Sequence, residues 1–463
     1  MNVFFKLRNT SSLLNGFHEL ENQELFFASP DELNDPQEGF LNLFWQGDKI
    51  VWRNLLRYYI FNLTNCLLKA SCSSNESLLS SDLLLFNFDI NNGIDRSFRN
   101  TYNALESTVF RINAINELIT CLSEKNKKIH QDELFFILNS LHLLIIKEIC
   151  IELNKLQHNT LFEIISKMDC YTLDPNFIDA ISSDFLPTIA AMHKNSALES
   201  NLTIFENQTN IVFKKNYHYL LQFFAQEFVN QLGQLTYNDV YITCFTKNYP
   251  DSDMWGYYGD NHKGCCLIFE TTTPEYLDSY TRNPEDNVIK ITRTGGTKPI
   301  DMKIEPVNYS GNYPEINFFN SVGNIQRGIY QNCWLSDGEE RSHYYDHRYV
   351  NHHRWLDEYN HNMHSFFFCK TEHWSKENEA RAIITTFSGE NNIANRKVRY
   401  EFQFLKGIVF GIKTSYSDKC EIVNILVNKC DKYHIFDFKF YQAFYNHKEN
   451  KMDKVEIDIK HRR

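Results

Sequence analysis

Glycine and proline are scarce in this sequence, with 17 glycines and 10 prolines among 463 residues. The phosphate-binding patterns G-x-x-x-x-G-K-[ST] and G-x-G-x-x-G and the nucleophile elbow G-x-S-x-G are absent. Their absence argues against P-loop NTPases, Rossmann dehydrogenases and α/β-hydrolases. The 12 cysteines form no C-x-x-C pair, and no H-E-x-x-H motif occurs. We therefore expect reduced thiols and no bound metal.

Long apolar segments and an excess of basic residues are also missing. No apolar stretch follows the basic residues near the N-terminus, so no secretory signal is predicted. The longest uncharged run, 134–146, is shorter than the ~18 residues that suggest a membrane span. Acidic residues outnumber basic ones by 58 to 47, which disfavours wrapping of duplex nucleic acid except at a local basic groove. These features predict a cytoplasmic protein with no membrane partner.

Strand-like patterns occur near both ends of the chain, and helical spacing occupies the middle. The main β-prone runs are Val3–Leu7, Glu24–Ala28, Val240–Phe245, Ala382–Thr386 and Ile422–Val427. Between about residues 50 and 235, apolar residues recur at spacings of three and four. We therefore predict an α+β fold, in which a mixed, mainly antiparallel sheet is built from both chain ends and carries a large all-helical insertion.

The predicted domain organisation has three parts. Residues 1–49 form the N-terminal part of the α+β domain, residues 50–235 the helical insertion and residues 236–463 the C-terminal part. Within the last part, residues 312–368 are rich in Tyr, Trp, His and Asn and are predicted to be an irregular insertion.

Five short motifs connect this sequence to a known family. They are F-K-L-R at 5–8, L-N-D-P-Q-E at 33–38, M-W-G-Y-Y-G-D-N-H-K-G at 254–264, W-S-K-E-N-E-A-R at 374–381 and L-K-G-I-V-F-G at 405–411. In this order they resemble the bacterial domain-of-unknown-function 2971 family. The resemblance implies, more loosely, an ADP-ribosyltransferase-like fold. It also implies an NAD-using toxin or anti-phage defence effector of a bacterium, with NAD as the substrate and a protein or nucleic acid as the acceptor.

The candidate catalytic residues are two glutamates and one histidine. Glu377 and Glu379 stand two residues apart, so in an extended chain both side chains share a face with Arg381. The resemblance implies that one carboxylate stabilises positive charge on the ribose as nicotinamide leaves, while the other deprotonates or orients the acceptor. His262 is a further candidate acid or base, or it fixes its loop through a hydrogen bond. The structural alternatives are surface glutamates or a buried Glu379–Arg381 pair.

The first two strands supply candidate ligand-binding residues. Lys6 and Arg8 alternate with apolar residues, so the two cations share a face that suits a dinucleotide pyrophosphate or a nucleic-acid phosphate. A solvated edge strand is the structural alternative. The resemblance implies that Lys6, with Phe27 or Ser29, holds the nicotinamide ribose.

Two loops and the W-x-x-E segment complete the predicted binding set. The segment from Asn34 to Glu38 is either a purely architectural turn, in which Asn34 and Asp35 bond local backbone N–H groups, or part of a carboxylate cluster that could bind Mg²⁺. The carboxylates of that cluster are Asp31, Glu32, Asp35 and Glu38. Trp255 and Tyr258 either stack on a flat ring or anchor a short helix. Further binding candidates are Trp374 and Arg381. We expect one cleft to be lined by Lys6, Asn34, Trp255 and Glu379.

Two other functions compete with ADP-ribosyl transfer. The first is a metal-dependent nuclease that uses four carboxylates, Asp35, Glu38, Glu377 and Glu379. It predicts dependence on Mg²⁺ and indifference to NAD. The second is a non-catalytic sensor of nucleotides or nucleic acids, in which phosphates are bound by Lys6, Arg8 and Arg381. It predicts binding without turnover.

Overall fold

The chain forms two compact units. The computed structural model describes residues 2–39, 41–72, 96–124, 126–156, 159–167, 173–174, 176–206, 215–274, 286–386 and 393–459. The sheet unit comprises residues 1–40, 239–314 and 363–463, and the helical unit comprises residues 41–238 and 315–362. The α+β fold class is confirmed, since the chain combines many helices with mixed sheets.

The secondary-structure elements are numbered in chain order. The strands are β1 Val3–Arg8, β2 Glu24–Phe26, β3 Leu43–Trp45, β4 Ile129–His130, β5 Asp239–Thr246, β6 Cys265–Glu270, β7 Val288–Arg293, β8 Ile300–Lys303, β9 Glu305–Pro306, β10 Ile316–Asn317, β11 Glu379–Thr386, β12 Lys397–Tyr400, β13 Leu405–Phe410, β14 Lys439–Asn446 and β15 Lys451–Glu456. The α-helices are α1 Glu19–Asn22, α2 Lys49–Cys72, α3 Arg96–Val109, α4 Asn113–Glu124, α5 Gln131–Leu156, α6 Thr160–Lys167, α7 Phe177–Ser182, α8 Leu186–Glu206, α9 Lys215–Gln222, α10 Phe224–Leu232, α11 Ser252–Tyr257, α12 Phe318–Ser321, α13 Arg327–Ile329, α14 His343–Tyr349, α15 His352–Phe367 and α16 Tyr416–Tyr433.

The main sheet of the sheet unit draws its strands from both ends of the chain, as predicted. Its eight strands lie in the order β15-β14-β13-β6-β1-β5-β11-β9. Only the β13–β14 pair is parallel among these described neighbours, so the sheet is mixed and mainly antiparallel. The N-terminal strand β1 lies in the interior of the sheet, between β6 and β5. This placement brings residues that are distant in sequence onto neighbouring strands.

The second predicted strand, Glu24–Ala28, lies in a different sheet from the one expected. Strand β2 pairs with β12 in a four-stranded sheet of order β2-β12-β7-β8. The main sheet receives only an isolated bridge between Ala28 and Ile242. The run is too short to continue, because Ser29 and Pro30 begin a 3₁₀ turn directly after the bridge. Buried residues of both sheets form one core, among them Phe4, Leu25, Phe245, Phe269, Ile289 and Val398.

The prediction of a strand at Ile422–Val427 is wrong, because these residues lie in helix α16. Ser415 caps the helix, since its hydroxyl accepts a hydrogen bond from the Asp418 backbone N–H at 3.1 Å. The buried residues Ile422, Leu426 and Cys430 recur every four positions. Packing of this helical face outweighs the strand propensity of the β-branched run.

The helical unit is built around the long helices α2 and α5. A small three-stranded sheet of order β10-β3-β4 completes it. Helix α5 is the one helix in the described residues that is apolar and long enough to cross a membrane. This is weak evidence for a span, because 56% of its apolar window is buried inside the unit and a core helix has the same composition.

The observed division of the chain differs in two respects from the predicted organisation. The boundaries fall after residues 40 and 238, whereas they were predicted after residues 49 and 235. Residues 315–362 cluster with the helical unit. The segment 312–368, expected to be irregular, contains helices α12–α15. Its Tyr, Trp and His side chains obscured the helical spacing, because aromatic residues have modest helix propensity.

Candidate functional site

The sheet unit contains a cavity of about 300 Å³. This volume is at the low end of the range for small-molecule sites. Strands β1, β5 and β11, the turn at 32–38 and helix α11 contribute to its walls. The lining residues are Phe5, Lys6, Leu7, Arg8, Phe26, Ala28, Glu32, Leu33, Asn34, Glu38, Ile242, Thr243, Cys244, Phe245, Thr246, Met254, Tyr257, Tyr258, Lys370, Glu377 and Glu379.

Strand register explains why the two ends of the chain meet at this cavity. Phe5 of β1 and Glu379 of β11 both lie opposite Thr246 of β5. Glu377 ends a 3₁₀ turn, and Asn378 has a left-handed backbone with φ of 43°. The prediction that the two glutamates lie in one extended segment is therefore wrong. The turn nevertheless brings both carboxylates to the cavity.

Lys370 is the centre of an ion cluster at the cavity wall, although no motif in the sequence marks it as a site residue. Its Nζ lies 2.8 Å from Glu377 Oε2, 3.0 Å from Glu379 Oε2 and 3.3 Å from Glu38 Oε1. Only 4% of the side chain is exposed. The three carboxylates outweigh burial and raise the pKa of Lys370 above its ordinary value. One feature of the sequence could have identified it: Lys370 directly follows the apolar run 366–369, and a lysine in such a buried position needs an anionic partner.

Arg381 holds two of the same carboxylates from within the core. Its Nε donates to Glu379 Oε1 at 2.7 Å, and its Nη2 donates to Glu38 Oε1 at 2.8 Å. Its Nη1 donates to the Phe367 carbonyl oxygen at 2.7 Å. The buried Glu379–Arg381 pair, which the sequence left as an alternative, is therefore present. Arg381 does not line the cavity itself.

The two cations give the clustered carboxylates different proton affinities. Burial raises the pKa of Glu379, but Arg381 and Lys370 outweigh it and lower that pKa to about 2. At Glu38, burial is the larger effect and raises the pKa above its ordinary value. Glu379 is therefore held as an anion, whereas Glu38 binds a proton more readily.

Lys6 is a buried cation without an anionic partner in the described part of the chain. Its Nζ donates to Thr243 Oγ1 at 2.7 Å and to the Cys244 carbonyl oxygen at 3.0 Å. Burial lowers the pKa of Lys6 to about 8. The predicted pair of free cations is reduced to one, because Arg8 forms an ion pair with Glu19.

Two tyrosine hydroxyl groups hold the glutamates of the cavity wall in place. The Tyr258 hydroxyl donates to Glu377 Oε1 at 2.5 Å, and Asn34 lines the same cavity. The Tyr309 hydroxyl accepts a hydrogen bond from the Glu379 backbone N–H at 2.6 Å. Tyr257 also lines the cavity and is 76% exposed, so its ring is available to solvent.

Trp255 and His262 do not line the cavity, so the expectation that Trp255 lines the cleft is wrong, and both residues follow their structural alternatives. Trp255 is fully buried and packs in a small apolar cluster with Phe5 and Ile268. His262 stacks on Trp255 at 6.5 Å and has a left-handed backbone with φ of 70°. Its N–H donates to the Trp255 carbonyl oxygen, and its own carbonyl oxygen accepts from the Lys413 N–H. Both residues fix the loop after α11.

Four other predicted residues lie near the cavity without lining it. The Phe27 side chain is buried in the core, and Ser29 caps the 3₁₀ turn at Pro30–Glu32. Asp35 is buried and accepts a hydrogen bond from the Gln37 backbone N–H at 3.0 Å. The Trp374 ring faces the Lys370 ammonium group at 4.8 Å. Of the four residues expected to line one cleft, the cavity thus contains Lys6, Asn34 and Glu379.

Comparison with known families bears on the central part of the chain. Residues 254–382 match the family described as Protein of unknown function (DUF2971). The match includes the motifs at 254–264 and 374–381 and confirms the resemblance over this range. Comparisons with curated proteins and with solved structures gave no match. No comparison therefore bears on the ADP-ribosyltransferase-like fold, which stays a prediction.

The cavity combines residues of the range that matches DUF2971 with residues from outside that range. Tyr258, Lys370 and the two glutamates Glu377 and Glu379 lie inside the matched range, whereas Lys6 and Glu38 precede it. The chemistry of the cavity therefore depends on both the matched region and the N-terminal strand and turn.

Proposed function

We propose that the cavity binds the nicotinamide–ribose end of NAD and transfers ADP-ribose to an acceptor. The observation that carries this proposal is Glu379, a buried carboxylate whose pKa is lowered to about 2 and which lines the cavity. When nicotinamide leaves, positive charge develops on the ribose. A fixed anion at the cavity wall stabilises that charge, because it needs no reorganisation during the reaction.

Neighbouring groups suit the other parts of the same ligand. Glu377, held by Tyr258 and Lys370, would orient a ribose hydroxyl group. Lys6 would pair with a phosphate, which supplies the anion that this buried ammonium group lacks. The exposed ring of Tyr257 would stack on a base at the cavity mouth. A cavity of about 300 Å³ would enclose one end of the dinucleotide and leave the other end outside.

The same contacts weigh against the competing functions. A divalent metal ion needs carboxylate oxygens, but Lys370 already bridges Glu38, Glu377 and Glu379. A phosphate sensor needs free cations, but Arg8 and Arg381 are paired with carboxylates. The toxin or anti-phage setting, the acceptor and the cytoplasmic location stay predictions.

Labelled NAD tests the proposed reaction. The full chain is incubated with cell lysate and NAD labelled in the nicotinamide or in the adenine ring, with Mg²⁺ or with EDTA. We expect nicotinamide release in both buffers and adenine label on protein or nucleic acid. Nucleic-acid cleavage that needs Mg²⁺ and ignores NAD would favour the nuclease. NAD binding without nicotinamide release would favour the sensor.

A further inference from the structure

The carboxylates that line the cavity differ in how many of their oxygens accept a hydrogen bond from the protein. Glu379 has a donor on each oxygen, from Arg381 Nε on Oε1 and from Lys370 Nζ on Oε2. Glu377 likewise receives the Tyr258 hydroxyl on Oε1 and Lys370 Nζ on Oε2. Neither carboxylate has an oxygen without a protein donor.

Glu38 differs from these two glutamates. Its Oε1 accepts from Arg381 Nη2 at 2.8 Å and lies 3.3 Å from Lys370 Nζ. Its Oε2 is buried and has no hydrogen-bond partner among the described residues. A fourth lining carboxylate, Glu32, is 46% exposed and pairs with Arg396. Among the described residues, Glu38 is therefore the buried lining carboxylate with an oxygen to which no protein group donates.

The surroundings of Glu38 favour uptake of a proton. Its side chain is only 4% exposed, and burial raises its pKa despite Arg381 and Lys370. Glu379 adds a negative charge that acts in the same direction. Tyr313 lies close enough to interact electrostatically with Glu38, and Asp35 lies in the same turn, where its carbonyl oxygen accepts a hydrogen bond from the Glu38 N–H at 2.9 Å. Two carboxylates in one site whose pKa values are driven apart suit different roles, one as a fixed anion and one as an acid or base.

We infer that Glu38 is the general base of the cavity and that its Oε2 takes the proton of the attacking hydroxyl group. This role rests on the proposed NAD reaction. The acceptor O–H bond breaks as its oxygen bonds to the ribose carbon C1′, and the proton passes to Glu38 Oε2. The C1′–N bond breaks at the same time, and nicotinamide leaves as a neutral molecule with the bonding electron pair.

Rates of nicotinamide release across pH test this role in the full chain. We expect Glu38→Gln to lower the rate by ~100-fold or more and to abolish its rise with pH, while NAD affinity changes by less than about 3-fold. Glu456→Gln is the control, since this half-exposed residue pairs with Lys439 outside the cavity lining. A folded Glu38→Gln protein with an unchanged rate and pH profile would overturn the inference.

Two further measurements keep the inference testable. If Glu38→Gln unfolds, Glu38→Asp is used instead, because it retains the negative charge but moves the carboxylate oxygens away from the cavity. An undiminished rate of nicotinamide release by Glu38→Asp would contradict the role of Glu38 as general base. If the natural chain releases no nicotinamide at any pH, the proposed function itself is wrong. In that case, ¹³C NMR of labelled glutamates decides whether Glu38 can hold a proton. We expect its signal, identified by its loss in Glu38→Gln, to titrate above the ordinary value of about 4.3; titration at or below that value would contradict it.

Discussion

Each of the two units buries a polar cluster, and the clusters differ in charge. In the helical unit, the Tyr59 hydroxyl lies 2.7 Å from His142 Nδ1, and the Leu220 carbonyl oxygen lies 2.7 Å from His142 Nε2. Burial lowers the pKa of His142 to about 4, so the ring is neutral at pH 7. Both ring nitrogens have a partner, and the cluster needs nothing from outside the protein.

The cluster of the sheet unit is charged and incomplete. Lys370 and Arg381 oppose three carboxylates, Glu38, Glu377 and Glu379. In the described residues, Lys6 lacks an anionic partner and Glu38 Oε2 lacks a donor. Uncompensated buried charge lowers stability. The comparison indicates that the helical cluster serves stability, whereas the sheet cluster is arranged for a ligand.

Removal of Lys370 should break the sheet cluster and cause the largest loss of stability. Lys370→Met leaves three buried carboxylates with Arg381 alone, so we expect the free energy of unfolding to fall by about 3–5 kcal/mol. Urea denaturation measures this change. Lys439→Met, which breaks an exposed pair with Glu456, is the matched control and should leave the denaturation midpoint unchanged. Equal midpoints for the two variants would contradict the importance of the cluster.

Acid should lower the stability of the protein through the neutral cluster of the helical unit. The pKa of His142 is about 4 in the folded chain and 6.5 ordinarily. Between these values the unfolded chain binds a proton that the folded chain does not, so stability falls as pH falls from 6.5 to 4. The loss attributable to His142 should reach about 3 kcal/mol. Denaturation of the natural chain and of His142→Gln across this range measures it, and identical slopes would contradict the neutral ring.

Replacement of Lys6 should stabilise the protein and impair binding. The pKa of Lys6 falls from 10.5 to about 8 on burial, so its charge opposes folding at pH 7. We expect Lys6→Met to raise the free energy of unfolding by about 1–3 kcal/mol. Calorimetry should show NAD affinity at least ~10-fold weaker. A less stable variant with intact NAD affinity would mean that Lys6 is structural.

Much of the sheet was predictable, because the alternating apolar residues of β1, β5 and β11 mark their strands. Helix α16 was not, since the run Ile422–Val427 is rich in β-branched residues and its helical form depends on packing of one face. The pairing of β2 with β12 joins residues more than 370 positions apart, such as Leu25 and Val398. Local patterns cannot determine such a choice of partner.

The motif residues of the candidate site could be predicted from the sequence, but the ion pairs that join the site residues could not. Glu379 and Arg381 were identified from their motif, and the structure joins them at 2.7 Å. Lys370 carries no motif, so its position among three carboxylates emerges only from the fold. For Trp255 the sequence allowed either stacking on a ligand or anchoring of a short helix, and it could not choose between them because the choice depends on burial, which the fold determines.

The most direct test compares one variant from each cluster in the same assay of nicotinamide release. Glu379→Gln removes the fixed anion at the cavity wall, and Tyr59→Phe removes one hydrogen bond from the neutral cluster. Circular dichroism and NAD-binding measurements test whether both proteins are folded and bind NAD. We expect turnover by Glu379→Gln to fall ~100-fold or more, and turnover by Tyr59→Phe to equal that of the natural chain. A folded, NAD-binding Glu379→Gln protein with full turnover would contradict the proposed site.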